Sequence, residues 1–191
     1  SAVIRLAKWA GRMTATGKDK SSYTPLGNVT YEIWLTDEEG NLLFQVDTVT
    51  TGLENEGADN QNPTAMAISY LYYEWIRADY AEANDIQDIE NALIDDDIAY
   101  MEGDDIIVRM ALREVSAPGG YGMSVAPNYM LVRYEKAALG SDADDPGAES
   151  TETLNDAFFV IEPKGEEPLS DEVTEENKWA SNENRVRLVN W

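Results

Sequence analysis

The chain has no histidine and no cysteine in its 191 residues, and only six lysines. Without histidine it lacks the side chain that titrates nearest neutral pH as a general base. Without cysteine it has no thiol nucleophile, no thiolate metal ligand and no disulfide. A serine nucleophile would have no imidazole to activate it, and neither G-x-S-x-G nor a phosphate-cradling glycine-rich loop occurs. No run of 18 apolar residues is present, and Ser1 to Trp9 has no apolar stretch of signal-peptide type, so the expectation is a chain that does not span a membrane.

Positive charge is also scarce: 14 Lys and Arg face 37 Asp and Glu, a formal net charge of −23. Binding to phosphate backbones needs a basic stripe, so direct contact with nucleic acid is excluded as an expectation. Charge of this size disfavours a compact state unless ions screen it, and the screening length falls from about 10 Å at 0.1 M salt to about 3 Å at 1 M. The composition therefore fits a high-salt setting. Five cations, Arg5, Lys8, Arg12, Lys18 and Lys20, lie in the first twenty residues. They read as a solvated strand and loop, or as a docking point for an acidic neighbour or lipid headgroups.

Hydrophobic residues make up 43% of the chain, which is globular usage, and a chain of this length buries roughly 70% of its unfolded surface. Val29, Tyr31, Ile33 and Leu35 alternate with Thr30, Glu32, Trp34 and Thr36, the pattern of a half-buried strand. Asp37 to Asn41 supplies turn residues, and Leu42 to Thr50 returns as the second arm of a hairpin. Further strands are predicted at Val3 to Met13, Asp105 to Val115, Met123 to Glu135, Ala157 to Glu162 and Asn184 to Trp191. Tyr70 to Ile76 fits strand and helix equally, since Ile68, Leu71, Tyr72, Trp75 and Ile76 also fall at helical spacing. As a strand it brings the count to eight. Asp85 to Leu93 reads as a short helix with Ile86, Ile89 and Leu93 on one side. The expected fold is all-β and mainly antiparallel: one domain over 1–191, an eight-stranded jelly-roll barrel or sandwich with one or two short helices in loops and acidic excursions at about 140–150 and 163–182.

Candidate sites are few. Asp142, Asp144 and Asp145 resemble the start of a calcium loop, but Pro146 and Thr153 stand where an EF-hand places its fifth and twelfth ligand positions. Looser cation sites are conceivable at Asp95 to Asp97 and Glu102 to Asp105, with solvated loops the simpler reading. Paired carboxylates could run glycoside hydrolysis without histidine, yet among 37 acids some pair always looks suitable. No enzymatic activity, cofactor or resident metal is expected. Asn28-Val29-Thr30 is a glycosylation sequon at the mouth of a strand. Tyr70, Tyr72, Tyr73 and Trp75, with Tyr80, form the densest aromatic group and are the interface candidates.

Over its whole length this profile, small, very acidic, free of His and Cys and strand-rich, resembles the smaller major capsid protein of halophilic archaeal icosahedral viruses that enclose an internal membrane. The resemblance rests on no motif and transfers no functional residue. It implies a single upright β-barrel that pairs with itself or a second capsid subunit into capsomers of the virion, over a lipid vesicle that the coat or its membrane proteins touch. The competing expectation is a secreted or surface β-sandwich, extracellular, that binds carbohydrate or protein.

Overall fold

A computed structural model of the chain describes residues 3–54, 64–119, 127–134, 179–180 and 188–190. The fold is all-β and mainly antiparallel. Its clearest element is the predicted hairpin, β3 (Thr30–Thr36) and β4 (Leu42–Thr50). Alternation puts Val29, Tyr31, Ile33 and Leu35 wholly inside. The turn is made by Asp37, whose carboxylate accepts from the Glu39 and Asn41 amides at 3.0 and 2.9 Å and from the Asn41 side chain at 2.8 Å. Gly40 closes it at φ +87°, a backbone angle that side chains disfavour.

Two sheets hold the strands. In the first, β1 (Val3–Thr14) is central: its first half pairs with β6 (Thr64–Tyr70), and its second half pairs with β2 (Gly17–Pro25) and, in parallel, with β11 (Leu188–Asn190). Short β5 (Gly52–Glu54) extends it beyond β6. The second sheet runs β10 (Trp179–Ala180), β9 (Asn128–Tyr134), β8 (Asp105–Ser116), β3, β4, with β7 (Ala99–Glu102) also on β8. The sheets approach each other where Ser69 on β6 donates to Asp47 on β4.

Leu6 and Ala67 from the first sheet meet Tyr31, Ile33, Leu35, Val108, Met110, Leu112, Met130, Val132 and Tyr134 from the second in one apolar core. Helix α1 (Tyr73–Ala83) and the single turn α2 (Ala92–Asp95) pack Tyr73, Ile76, Tyr80 and Leu93 against the same core. No described helix is long and apolar enough to cross a membrane.

Several expectations change. Tyr70 to Ile76 is neither a strand nor a helix throughout: β6 ends at Tyr70 and α1 begins at Tyr73. The helix buries Tyr73, Ile76, Tyr80 and Ala81, so Trp75 turns outward and the face inferred by counting Ile68 and Leu71 as helical is displaced. The strand count is eleven among the described residues, not eight. The polar β2, the alanine-containing β6 and two short strands carry little local signal and are set by their partners. The helix predicted from Asp85 to Leu93 is absent apart from Ala92 and Leu93, which open the turn Ala92–Asp95: Asp85, just past the Asn84 that caps α1, sits at φ +55°, and the Asp88 carboxylate accepts from Asn91. The sequence marks Val3, Leu6, Ile33, Phe44, Val108, Leu131, Phe159 and Leu188 as mostly buried; Leu6, Ile33 and Val108 are buried, Phe44 and Leu131 are half-buried, and Phe159 and the side chains of Val3 and Leu188 lie outside what the structure describes. Ala157 to Glu162, the excursion at 140–150 and all of 163–182 except Trp179–Ala180 lie outside the described residues, as do Met123 to Ala126.

Candidate interaction surface

The alternation of β6 decides which aromatic groups reach the surface. Ala67 and Ser69 point into the core, so Ile68 and Tyr70 point out, and they are 40% and 57% exposed. The next residue, Leu71, is buried, with its carbonyl accepting from the Tyr134 hydroxyl at 2.8 Å. That bond fixes where the chain leaves the sheet and enters α1. Tyr72 then lies against Trp75 with ring centroids 5.3 Å apart, one helical turn on, and Trp75 is 44% exposed. Ile68, Tyr70, Tyr72 and Trp75 thus follow one another along the β6–α1 junction, apolar and partly uncovered.

The four interface candidates divide accordingly. Tyr70 and Trp75 are exposed and Tyr72 is half-buried, whereas Tyr73 is a core residue packed on Tyr134 at 5.4 Å. Tyr80 is inside too, edge-on to Phe44 at 5.8 Å, with its hydroxyl on Asp96 at 2.6 Å. Ile68 was missing from the sequence-derived set; the period-2 pattern of 64–70, once separated from the helix that follows, contains it.

Inside the molecule a second constellation joins the two sheets. Lys8 Nζ on β1 meets Glu114 Oε1 on β8 at 3.0 Å, with side-chain exposures of 2% and 0%. The Tyr31 hydroxyl donates to the same oxygen at 3.2 Å from the neighbouring strand, where Tyr31 and Glu114 are direct cross-strand partners. The ammonium also sits 5.5 Å from the centre of the Tyr31 ring. Burial pulls the Lys8 ammonium pKa down, against the opposing pull of Glu114, and burial pushes the Tyr31 hydroxyl well up with Glu114 adding to it. Lys8 is therefore not part of a solvated basic strand, as its position among five early cations suggested. The carboxylate facing it across the core explains the difference. Nothing in the composition marks this pairing, because Lys8 and Glu114 come together only through the stacking of the sheets.

The outer face of the second sheet gathers arginines over aromatic rings and beside acids. Arg109 lies 4.6 Å from the Tyr100 ring centre, Arg113 lies 5.6 Å from that of Trp34 and bonds Glu32 at 2.8 Å, and Arg133 bridges Asp105 at 2.7 Å and Glu102 at 2.8 Å. Glu102 and Asp105, two acids of the run read as a loose cation site, thus have a guanidinium as their cation. In the Asp95 to Asp97 run, Asp96 takes the Tyr80 hydroxyl and the Asp97 carbonyl takes Arg109 Nη1 at 2.6 Å. Among the described residues no group of three or more acids is placed to hold a metal ion, and Asp142, Asp144 and Asp145 lie outside them. Asn28 of the sequon is exposed, at φ +61°. No family model, no curated protein and no solved structure matches this chain.

Proposed function

We propose that the chain is a structural coat protein, a capsid subunit of a virus from a high-salt environment, and that it works by self-association and by contact with a second capsid subunit. The observation that carries this reading is the β6–α1 junction, where Ile68, Tyr70 and Trp75 stay uncovered on a chain of net charge −23. An acidic surface keeps copies apart in dilute salt, and apolar anchors drive them together once ions screen the charge. Large aromatic side chains at the centre of a contact supply most of its energy. The jelly-roll arrangement belongs to the same proposal and is supported by two strand layers around a shared core. The membrane contact and the virion location follow from the capsid resemblance and stand as parts of it. Light scattering in molar salt tests the assembly: the native chain should exceed monomer mass, and Tyr70→Ser with Trp75→Ala should return it to monomer. A native chain that stays strictly monomeric at high salt and high concentration overturns the reading and favours a binding module.

A further inference from the structure

Helix α1 and the outer face of the second sheet carry side chains of opposite charge and look in opposite directions. Tyr73 packs on Tyr134 at 5.4 Å and Tyr80 on Phe44 at 5.8 Å, and both partners point from the second sheet into the core. The helix therefore lies on the inner side of that sheet, and its solvent side turns away from it. There Trp75, Asp79 and Glu82 fall at i, i+4 and i+7 and are all exposed, so one indole and two carboxylates form a stripe along α1. On the far side of the molecule Arg109, Arg113 and Trp34 point outward, alternating with core residues of β8 and β3. Arg109 donates to the Asp97 carbonyl, a neutral group that leaves its charge uncancelled. Arg113 is exposed and meets Glu32 through Nη2, which leaves the other donors of its fork for a second carboxylate.

We propose that the α1 stripe of one copy docks on the outer face of the second sheet of the next copy, with Asp79 and Glu82 pairing Arg109 and Arg113 and Trp75 set against the Trp34 ring. Acids outnumber cations 37 to 14 over the chain, so two copies repel each other in most orientations. Guanidiniums on one face and carboxylates on the other make this orientation attractive, and the two indoles add apolar contact at its centre. A chain cannot reach its own far face; a second copy can. The two surfaces differ and every copy offers both, so the contact is heterologous and its repetition gives a ring or an open row. Pairs covered by a contact are screened much less than free surface charges, so they persist in the molar salt that lets acidic copies approach. This inference rests on the self-association reading above and adds the surface that receives α1.

Light scattering of the full chain in molar salt, with two double variants, tests it. Asp79→Arg with Glu82→Arg reverses the stripe, and Arg109→Ala with Arg113→Ala strips the face. None of these side chains lies in the core, so circular dichroism and the urea midpoint should match the native chain; Arg113→Ala alone, at an exposed position, replaces the face variant if that one loses its fold. Each variant by itself should associate about a hundredfold more weakly than the native chain, or less still. Mixed in equal amounts they should form a 1:1 complex and nothing larger, because the mixture holds one intact stripe and one intact face for each pair of chains. Either folded variant associating as the native chain does overturns the proposal, and so does a mixture that gives no complex; both results leave the self-association reading standing. A native chain that stays monomeric under the same conditions overturns the two together.

Discussion

Replacing Tyr134 by phenylalanine removes one oxygen atom from the centre of the molecule and tests how the exposed junction is held. The Tyr134 hydroxyl is fully buried and donates to the Leu71 carbonyl at 2.8 Å, between the end of β6 and the start of α1. A buried carbonyl without a partner costs about 1–3 kcal/mol, more than the roughly 0.5–1.5 kcal/mol net worth of an average hydrogen bond. Leu71 is itself buried, so water does not readily replace the lost donor, and the middle of that range, about 2 kcal/mol, is expected. For a chain of this size that corresponds to roughly 4–8 °C in Tm. Tyr134→Leu should cost about 1 kcal/mol more, because it also removes the ring that packs on Tyr73 at 5.4 Å. Urea unfolding in molar salt measures both, with an unchanged m-value showing that the effect is on the native state. A Tyr134→Phe variant within about 0.5 kcal/mol of the native chain would refute the argument. It would mean that the Leu71 carbonyl finds another donor and that the junction is not pinned there.

Melting temperature should rise between low and molar salt, since screening weakens repulsion among the acids; a flat or falling curve removes the link to high salt. Burial raises the hydroxyl pKa of Tyr31, Tyr73 and Tyr134 above the usual tyrosine value of about 10. The folded chain then keeps protons that the unfolded chain releases, so this stability is fully present below about pH 10 and falls as pH rises further. Alkaline unfolding followed by tyrosinate absorbance should show one cooperative step well above pH 10, and free titration of all tyrosines near pH 10 contradicts it. Gly40→Ala should lose about 1–2 kcal/mol, because φ is +87° there and an added Cβ would meet the Tyr129 ring at 3.0 Å. An unchanged urea midpoint would place that strain elsewhere.

The parts of the fold that the sequence displays are those where one face is apolar and the pattern is local. β3 and β4 are legible because Val29, Tyr31, Ile33 and Leu35 alternate cleanly and Asp37 to Asn41 carries its own turn chemistry. β2 is not legible: Gly17 to Pro25 is polar and becomes a strand through its pairing with β1. At Tyr70 to Ile76 strand and helix signals are both real, but they belong to adjacent elements, and the boundary at Leu71 is set by a hydroxyl 63 positions away. A window centred on the boundary sees both periods at once and can assign neither. Asp85 to Leu93 fails for the opposite reason, since its helical spacing is present but Asp85 sits at φ +55° and the Asp88 carboxylate bonds locally to Asn91.

The same division explains why the sequence singles out the aromatic region without showing which of its rings are exposed. Composition picks out Tyr70 to Tyr80 as a cluster, but only the element boundary decides which rings reach solvent. On a strand, Tyr70 and Ile68 share one face; on the helix that begins at Tyr73, Trp75 faces away from Ile76 and Tyr80. Tyr73 and Tyr80 therefore anchor α1 to the core, and Tyr70, Tyr72 and Trp75 are carried outward by that anchoring. The exposed rings are held by buried ones, so substitutions at Tyr73 or Tyr80 should lower both stability and self-association, whereas substitutions at Tyr70 or Trp75 should lower self-association with the urea midpoint nearly unchanged. Loss of both properties on changing Tyr70 alone would show that its ring is part of the fold's own packing and that the junction is no free surface.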